Sequence, residues 1–409
     1  MMTADVYGFL NQFPDESYDI RVTKDARYVD QKCTPDIVCF IADCILSTSC
    51  ASNPFTCNDL WNEKYFVDNC QVIFGKPSPE NQEARNEYNK VLCQPLKLLA
   101  YAHVLNEESV KGSLTFSVQD KGMLEYIAIK ERNAYDFLYA FFMKVMECSG
   151  FARHFREYKR QCDDAARLDP KQAKGVVIVA KKLIYKKYHE FIAAHTPSKS
   201  VLDANRMFHK VFNIYAFHEQ LPGSNGKRAA WYDLMYNRIN FRDKGRKDKS
   251  LTRGEAAAAG ITTMNESYYI KYQVDKAKRL VHKLQGDRSE VHDEDGDGKA
   301  TEVHHIFPVA GFPTIASYTE NLILLTSNQH RIKAHPNSNF QMVDKDYQFV
   351  CLMAKSDTIE KYLSDVNGGV YRKDSFVDVI NTGFTDGILD AKSSFADIRK
   401  YLISYHSTH

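Results

Sequence analysis

The segment 301–336 constrains the fold of this chain more strongly than any other feature of its sequence. It contains an asparagine at position 321 and four of the chain's 14 histidines, at positions 304, 305, 330 and 335. Imidazole titrates near neutral pH and is the commonest metal ligand among side chains. Such a concentration predicts a site that binds a metal or moves protons, although a fold in which the histidines are incidental is the alternative.

The residues around the histidines predict two strands followed by a short helix. Residues 302–306 and 322–326 have the length and apolar content of short strands. Thr326 or Ser327 is a suitable N-cap for a brief helix that carries His330. The predicted local order is therefore strand, loop, strand and helix.

Two spacings in this segment conflict with regular secondary structure. Adjacent strand residues point to opposite faces, so His304 and His305 share a site only at a strand end or a distortion. His330 and His335 lie about 140° apart around an α-helix and do not share a face of it. Because the residue before a proline is driven out of helical geometry, we expect His335 to turn back from beyond the helix end.

The order of these residues resembles the motif of the HNH endonuclease family, in which a strand bearing a histidine pair leads through a loop to an asparagine. A second strand and a short helix then deliver further ligands. The resemblance is confined to residues 301–336. It implies a ββα-metal nuclease site with His305 as general base, His304 and His330 as metal ligands, and Asn321 tying the loop through hydrogen bonds to the backbone. His335 is taken as a third ligand, with a contact to phosphate as the alternative.

This resemblance also implies a divalent metal cofactor. Mg²⁺ and Mn²⁺ are the expected ions. Ni²⁺, Co²⁺ and Zn²⁺ are the alternatives, because imidazole ligands favour borderline metals over hard ones. No cysteine lies between Cys162 and Cys351, so the paired-cysteine zinc brace of many HNH proteins is not expected. Apolar packing of residues such as Ile306, Phe307 and Leu322 would support the site instead.

The charges are distributed unevenly along the chain. Residues 1–150 carry a net charge of −7, residues 151–290 carry +14 and residues 291–409 carry −5, which together give the overall +2. A basic segment between two acidic ones predicts a surface that binds a polyanion. The alternative is an ordinary solvated face of lysine-rich helices.

Two basic, glycine-containing loops lie within this basic segment, at residues 221–228 and 241–254. They flank a run rich in Trp, Tyr and Arg, a composition suited to contacts with phosphates and base edges of double-stranded DNA. The candidate DNA-binding residues are Lys227, Arg228, Arg246 and Lys247. Each loop is equally compatible with an ordinary surface loop.

These patterns predict an α+β chain with three parts. Residues 1–150 form an N-terminal helical domain for DNA recognition or dimerisation, residues 151–290 a basic, mostly helical DNA-binding region, and residues 291–409 the HNH nuclease domain. The nuclease domain is expected to continue into a C-terminal hairpin, with strands at 340–343 and 347–353, and then into helices. A second hairpin is expected to join 114–118 to 124–129 across Asp120–Gly122.

The chain shows no signal for export or for a membrane. Residues 1–10 lack a basic start followed by an apolar run, and no stretch approaches the roughly 20 apolar residues of a membrane span. The ten cysteines include no C-x-x-C pair, and are expected to be mostly buried free thiols. We therefore expect a soluble, cytoplasmic protein.

The function expected on these grounds is that of a sequence-specific DNA endonuclease similar to type II restriction enzymes. Such an enzyme would act as a homodimer, because a two-fold DNA site cut on both strands invites two active sites. One alternative is a modification-dependent or other phage-defence HNH nuclease. The non-enzymatic alternative is a DNA-binding protein with a degenerate HNH fold.

Overall fold

Helices make up most of this structure, a computed structural model that describes residues 3–74, 85–110, 112–236, 266–335, 343–365, 369–385, 387–390 and 392–408. The described residues separate into two units, 3–236 and 266–408. Both units combine helices with a small antiparallel sheet, which confirms the α+β class. The predicted three-part division, with boundaries at 150 and 290, was drawn from charge and stays a prediction.

The first unit combines a helical array with a three-stranded sheet. Its helices are α1 (Thr3–Leu10), α2 (Ile20–Thr23), α3 (Pro35–Leu46), α4 (Cys57–Asn62), α5 (Lys64–Phe74), α6 (Arg85–Tyr101), α7 (Lys121–Ile129), α8 (Glu131–Cys148), α9 (Ala152–Ala165), α10 (Pro170–His195), α11 (Val201–His218) and α12 (Trp231–Leu234). The strands β1 (Phe55–Thr56), β2 (Leu105–Val110) and β3 (Ser113–Val118) pair in the order β1-β3-β2. Helix α3, apolar on nearly every side, packs against α7 and α8 at the centre of this unit.

The predicted hairpin between residues 114–118 and 124–129 is wrong in its second half. Residues 114–118 do form a strand, but β3 pairs with β2, which precedes it. Residues 124–129 belong to α7 instead, because the Asp120 carboxylate accepts a hydrogen bond from the Met123 backbone N–H at 2.6 Å. Asp120 is therefore a helix N-cap and not a turn residue.

The second unit surrounds a two-stranded sheet with helices. Its elements are α13 (Glu266–Gln285), β4 (Ala300–His305), β5 (Leu322–Thr326), a π-helical turn (Gln329–Ala334), α14 (Lys345–Asp365), α15 (Lys373–Phe384) and α16 (Phe395–Thr408). The two strands are antiparallel, and His304 and His305 lie opposite Ile323 and Leu322. Strand β5 is buried along its whole length. The sheet is therefore part of the core, and it holds in place the side chains at the end of β4.

A buried ion pair holds the second edge of β5. Both the backbone N–H and a carboxylate oxygen of Glu290 bond to the backbone of Leu324, at 3.0 and 2.9 Å. The Lys355 ammonium donates to Glu290 at 2.8 Å and to the Tyr371 hydroxyl at 2.9 Å. Because a buried charge is costly unless it is paired and hydrogen-bonded, these three side chains lock α14 and β5 to each other.

The predicted C-terminal hairpin is wrong. Residues 347–353 lie in α14, whose first turn is capped by the Asp344 carboxylate through the Tyr347 N–H at 2.8 Å. Tyr347, Cys351 and Leu352 are buried at helical intervals, so helical packing replaces the alternation expected of a strand. Residues 340–342, the other part of the predicted hairpin, lie outside the described residues. The two later predicted helices, near 374–381 and 393–405, correspond to α15 and α16.

Cysteine placement agrees with the prediction of buried thiols. All ten cysteines are free, and seven are buried. Within the described part of the chain, no helix combines the length and the apolar character that crossing a bilayer requires.

Candidate metal centre

The histidine pair lies at the end of β4. A strand end is one of the two positions at which the sequence allows both residues to serve one site. His304 is buried, with 4% of its surface exposed. His305 is half-buried and is the last residue of the strand. Since neighbouring residues of a strand point to opposite faces, the two imidazoles leave the strand in different directions and make different contacts.

A π-helical turn brings the two later histidines together. Residues 329–334 form this turn, and His335 follows it in extended geometry, with φ −124° and ψ 92°. Hydrogen bonds of a π-helix join residues five apart, so residues at that separation lie about one turn from each other. The α-helical spacing that separates His330 from His335 therefore does not apply, and the expected departure of His335 from the helix is confirmed.

The three predicted ligands lie in one cluster. The potential ligand atoms of His304, His330 and His335 all lie within 4.8 Å of one another. The ring centroids are 5.2 Å apart for His304 and His330, and 4.9 Å apart for each pair that includes His335. The rings are steeply inclined to one another and do not stack. We call these residues the histidine triad.

The electrostatics favour neutral rings at two members of the triad, His304 and His330. Burial, followed by the neighbouring His330 and His335, lowers the pKa of His304 to about 2. Burial and His335 also lower the pKa of His330, with the Glu302 carboxylate opposing them. Neutral imidazoles carry the lone pairs that a metal needs. Three imidazoles with ligand atoms this close together form a donor set that fits a divalent borderline metal.

His305 makes a separate contact that defines the state of its ring. Its Nε2 lies 3.1 Å from the carbonyl oxygen of Ala316. A carbonyl only accepts hydrogen bonds, so Nε2 carries the proton, and in the neutral ring Nδ1 retains the lone pair. Burial, followed by the nearby Lys278 ammonium, lowers the pKa of His305 to about 4, although the bond to Ala316 opposes this shift.

Asn321 holds the loop between β4 and β5, as predicted. Its side-chain oxygen accepts from the Phe307 N–H at 2.9 Å, and its amide nitrogen donates to the carbonyls of Phe307 at 3.0 Å and Ile315 at 3.3 Å. These bonds join the start of the loop to the residue just before Ala316. Asn321 thus fixes the carbonyl that orients His305, and its own side chain is fully buried.

Gln329 anchors the π-helical turn from inside the protein. Its side-chain oxygen accepts from the Thr326 N–H at 3.0 Å and from the Ser289 hydroxyl at 2.6 Å. Its amide nitrogen donates to Val291 O at 2.9 Å and to the Asp293 carboxylate at 2.7 Å. The Thr326 hydroxyl accepts from the Gln329 N–H at 3.2 Å, which confirms Thr326 as the cap.

Lys333 provides a second anchor for the same turn. Its ammonium pairs with three consecutive acidic residues, Asp293 at 3.2 Å, Glu294 at 2.6 Å and Asp295 at 3.1 Å. Together, Gln329 and Lys333 attach the turn that presents His330 and His335 to the loop before β4.

Replacement of Gln329 by Ala is expected to loosen this turn and weaken metal binding. The change removes four hydrogen bonds, three of them buried, so we expect a loss of about 3 kcal/mol in the free energy of unfolding and about 10- to 100-fold in metal affinity. Denaturant unfolding and titration with Co²⁺ measure the two effects. Asn328→Ala removes the neighbouring exposed amide and should change neither quantity. Metal affinity equal to wild type in Gln329→Ala would show that the turn is held by other contacts.

The candidate DNA-binding residues are only partly described. Lys227 and Arg228 are exposed on a turn of the first unit, which is closed by a bridge between Pro222 and Arg228. The Arg228 guanidinium donates to the Gln220 side chain, and Lys181 donates to Ser224 O of the same turn at 2.9 Å. Arg246 and Lys247 lie outside the described residues.

Two side chains near the triad were not anticipated from the sequence. Gln329 directly precedes His330, but a single glutamine carries no signal of its role. Lys278 lies on α13, well before the histidine segment, and was counted only as part of the basic region. No family model matches this chain, and neither the curated proteins nor the solved structures contain a significant match. Any functional conclusion therefore depends on the geometry of this site.

Proposed function

We propose that this chain is a metal-dependent endodeoxyribonuclease with a ββα-metal site of the HNH type. The observation that carries the proposal is the convergence of His304, from the end of one strand, with His330 and His335, from the turn that follows the second strand. His305 adjoins the triad in sequence, and its ring orientation is fixed by a loop that Asn321 holds.

Each side chain has a role that its contacts support. His304, His330 and His335 would hold the metal. A bound metal would stabilise the negative charge that develops on the phosphodiester in the transition state and on the leaving oxygen. His305, with Nε2 engaged by Ala316 O, would use Nδ1 to take a proton from the attacking water. Asn321 is a positioning residue, because it contacts only the loop backbone.

The proposal extends to duplex DNA as the substrate and to a restriction-type role for the whole chain. The support is the +14 net charge of residues 151–290 between two acidic segments, since neutralising phosphates is the main source of affinity for DNA. Lys227 and Arg228 are exposed members of that region. Arg246 and Lys247 remain candidates on sequence grounds, as does a homodimer.

Incubation of the purified protein with supercoiled plasmid tests the proposal. We expect nicked and linear products with Mn²⁺, Co²⁺ or Ni²⁺ at lower concentrations than with Mg²⁺, because imidazole ligands favour borderline ions. Excess chelator should abolish the products, and readdition of metal should restore them. An intact plasmid with every ion would refute the nuclease and leave the DNA-binding protein with a degenerate site. Full activity in chelator would refute the metal centre.

The pattern of products separates the nuclease alternatives. Discrete fragments with uniform ends indicate sequence-specific cleavage of the restriction type. Cleavage confined to plasmid from a methylating host indicates a modification-dependent enzyme, and a smear indicates a nuclease without sequence preference. Sequencing the fragment ends provides both the site and the cut position.

A further inference from the structure

A lysine from helix α13 lies beside the histidine site. Helix α13 packs against both β4 and β5, and its Ala277 and Val281 are buried in the core of the second unit with the residues of β5. Lys278 follows Ala277 directly and is half-buried. Its backbone is therefore held against the sheet whose end carries the histidines.

The charge of Lys278 reaches three imidazoles at once. Burial is the largest cause of the lowered pKa of His304, His305 and His330, and the Lys278 ammonium lowers all three further. The start of β4 adjoins the end of α13, because the Ala300 N–H donates to Asp287 O at 2.9 Å. Lys278 along the helix and His304 along the strand each lie about 13 Å from that contact, which agrees with the lysine lying beside the end of β4. Lys278 forms no hydrogen bond or ion pair with any residue that the structure describes.

With a metal bound, this arrangement would carry an excess of positive charge. The triad offers three imidazole ligands, so a divalent ion bound there would keep a charge of +2, which the single negative charge of the nearby Glu302 carboxylate offsets only in part. A half-buried ammonium close to that ion adds to the repulsion, and burial weakens the solvent screening that would relieve it. A negatively charged ligand between the metal and Lys278 converts both repulsive charges into attractive ones.

We infer that Lys278 and the histidine triad together form a phosphate-binding subsite, in which the Lys278 ammonium binds a non-bridging oxygen of the phosphodiester to be cleaved. The inference rests on the proposed nuclease function and adds to it a residue that contacts the substrate. Lysine binds phosphate as a compact point charge. Negative charge accumulates on the phosphoryl oxygens in the transition state, and an ammonium that is already in position stabilises that charge.

Substitution of Lys278 tests the inference, with plasmid cleavage, Co²⁺ binding and inorganic phosphate binding as readouts. Lys278→Ala should cleave about 100-fold more slowly at saturating metal, the usual cost of removing one such donor. Lys278→Arg should recover most of the rate, since it keeps the charge. Lys361→Ala, which removes an exposed lysine of α14 outside the basic segment, should cleave like wild type.

Metal affinity distinguishes a phosphate-binding lysine from a structural one. Lys278→Ala should bind Co²⁺ at least as tightly as wild type, because a positive charge that opposed the metal has been removed. Inorganic phosphate should bind the Co²⁺-loaded variant about 10-fold more weakly, as expected for one charged hydrogen bond. Parallel losses of Co²⁺ affinity and cleavage would overturn the inference, because they would make Lys278 a support for the fold.

The same measurements separate failure of this inference from failure of the proposed function. If wild type cleaves plasmid and Lys278→Ala cleaves it within twofold, the nuclease stands and the subsite is refuted. If wild type cleaves no DNA, the phosphate titration still decides. Phosphate binding that depends on Lys278 supports the subsite, and equal binding by wild type and variant overturns it.

Discussion

Replacement of His305 by Ala is expected to lower the rate of DNA cleavage by about 10²- to 10⁴-fold, the usual contribution of a general base. Metal affinity and DNA affinity should remain close to wild type. The reason is that His305 stands outside the histidine triad and its ring bonds to the protein through Ala316 O. A base acts on the attacking water and not on the duplex.

Cleavage kinetics at saturating metal, Co²⁺ titration and a DNA mobility-shift assay measure these three quantities. His292→Ala removes an exposed histidine of the same unit and is the matched control. Added imidazole should restore part of the activity of His305→Ala, because it replaces a lost base but not a lost structural contact. An equal loss of DNA binding, or a rate like that of wild type, would exclude His305 as the base.

Replacement of His304 by Ala is expected to remove both the metal and the activity. Removal of a residue that only hydrogen-bonds to a metal ligand costs about 10- to 100-fold in metal affinity. Removal of one of three direct ligands should therefore lower metal affinity by more than about 100-fold. Without the metal, several kcal/mol of transition-state stabilisation disappear, which corresponds to about a 10³-fold slower reaction.

Co²⁺ titration, followed by absorption spectroscopy, measures the first effect, and plasmid cleavage measures the second. His330→Ala provides an independent variant, because its ring is half-buried and its loss disturbs the core less than that of His304. The outcome that contradicts the triad is Co²⁺ binding by both variants with wild-type affinity. His292→Ala again serves as the control.

The sequence was sufficient to predict the elements that carry the site. Strand β5 is a continuous apolar run that is buried throughout, and the cap at Thr326 and the loop-holding bonds of Asn321 follow from the ordinary preferences of those side chains. Local patterns of this kind act within a few residues along the chain. For that reason they could be recognised without knowledge of the tertiary structure.

Two errors have the same physical cause. Asp120 and Asp344 each precede a short run of alternating apolar residues and look like turn residues of a hairpin. In the structure, each carboxylate bonds to the backbone N–H three residues later and starts a helix. Aspartate favours turns and N-caps alike, and the choice depends on which face of the following segment the core buries.

Other parts of the site depend on contacts between distant residues. Gln329 bonds to Val291 and Asp293, and Lys278 approaches the histidines from a helix that ends before the strands begin. No periodicity or short motif encodes such an approach. The basic region shows the same limit, since net charge predicts a partner but not which lysines are engaged within the protein, as Lys181 is.

The π-helical turn has a consequence for recognising relatives of this chain. An α-helix places two ligands on one face when they are four residues apart, whereas this turn achieves a similar placement with five. Two proteins that differ by one inserted residue here would present equivalent imidazoles, yet an alignment would register a gap at the last ligand. A comparison keyed to the spatial arrangement of ring nitrogens, tolerant of that insertion, is therefore the appropriate way to find homologous metal centres.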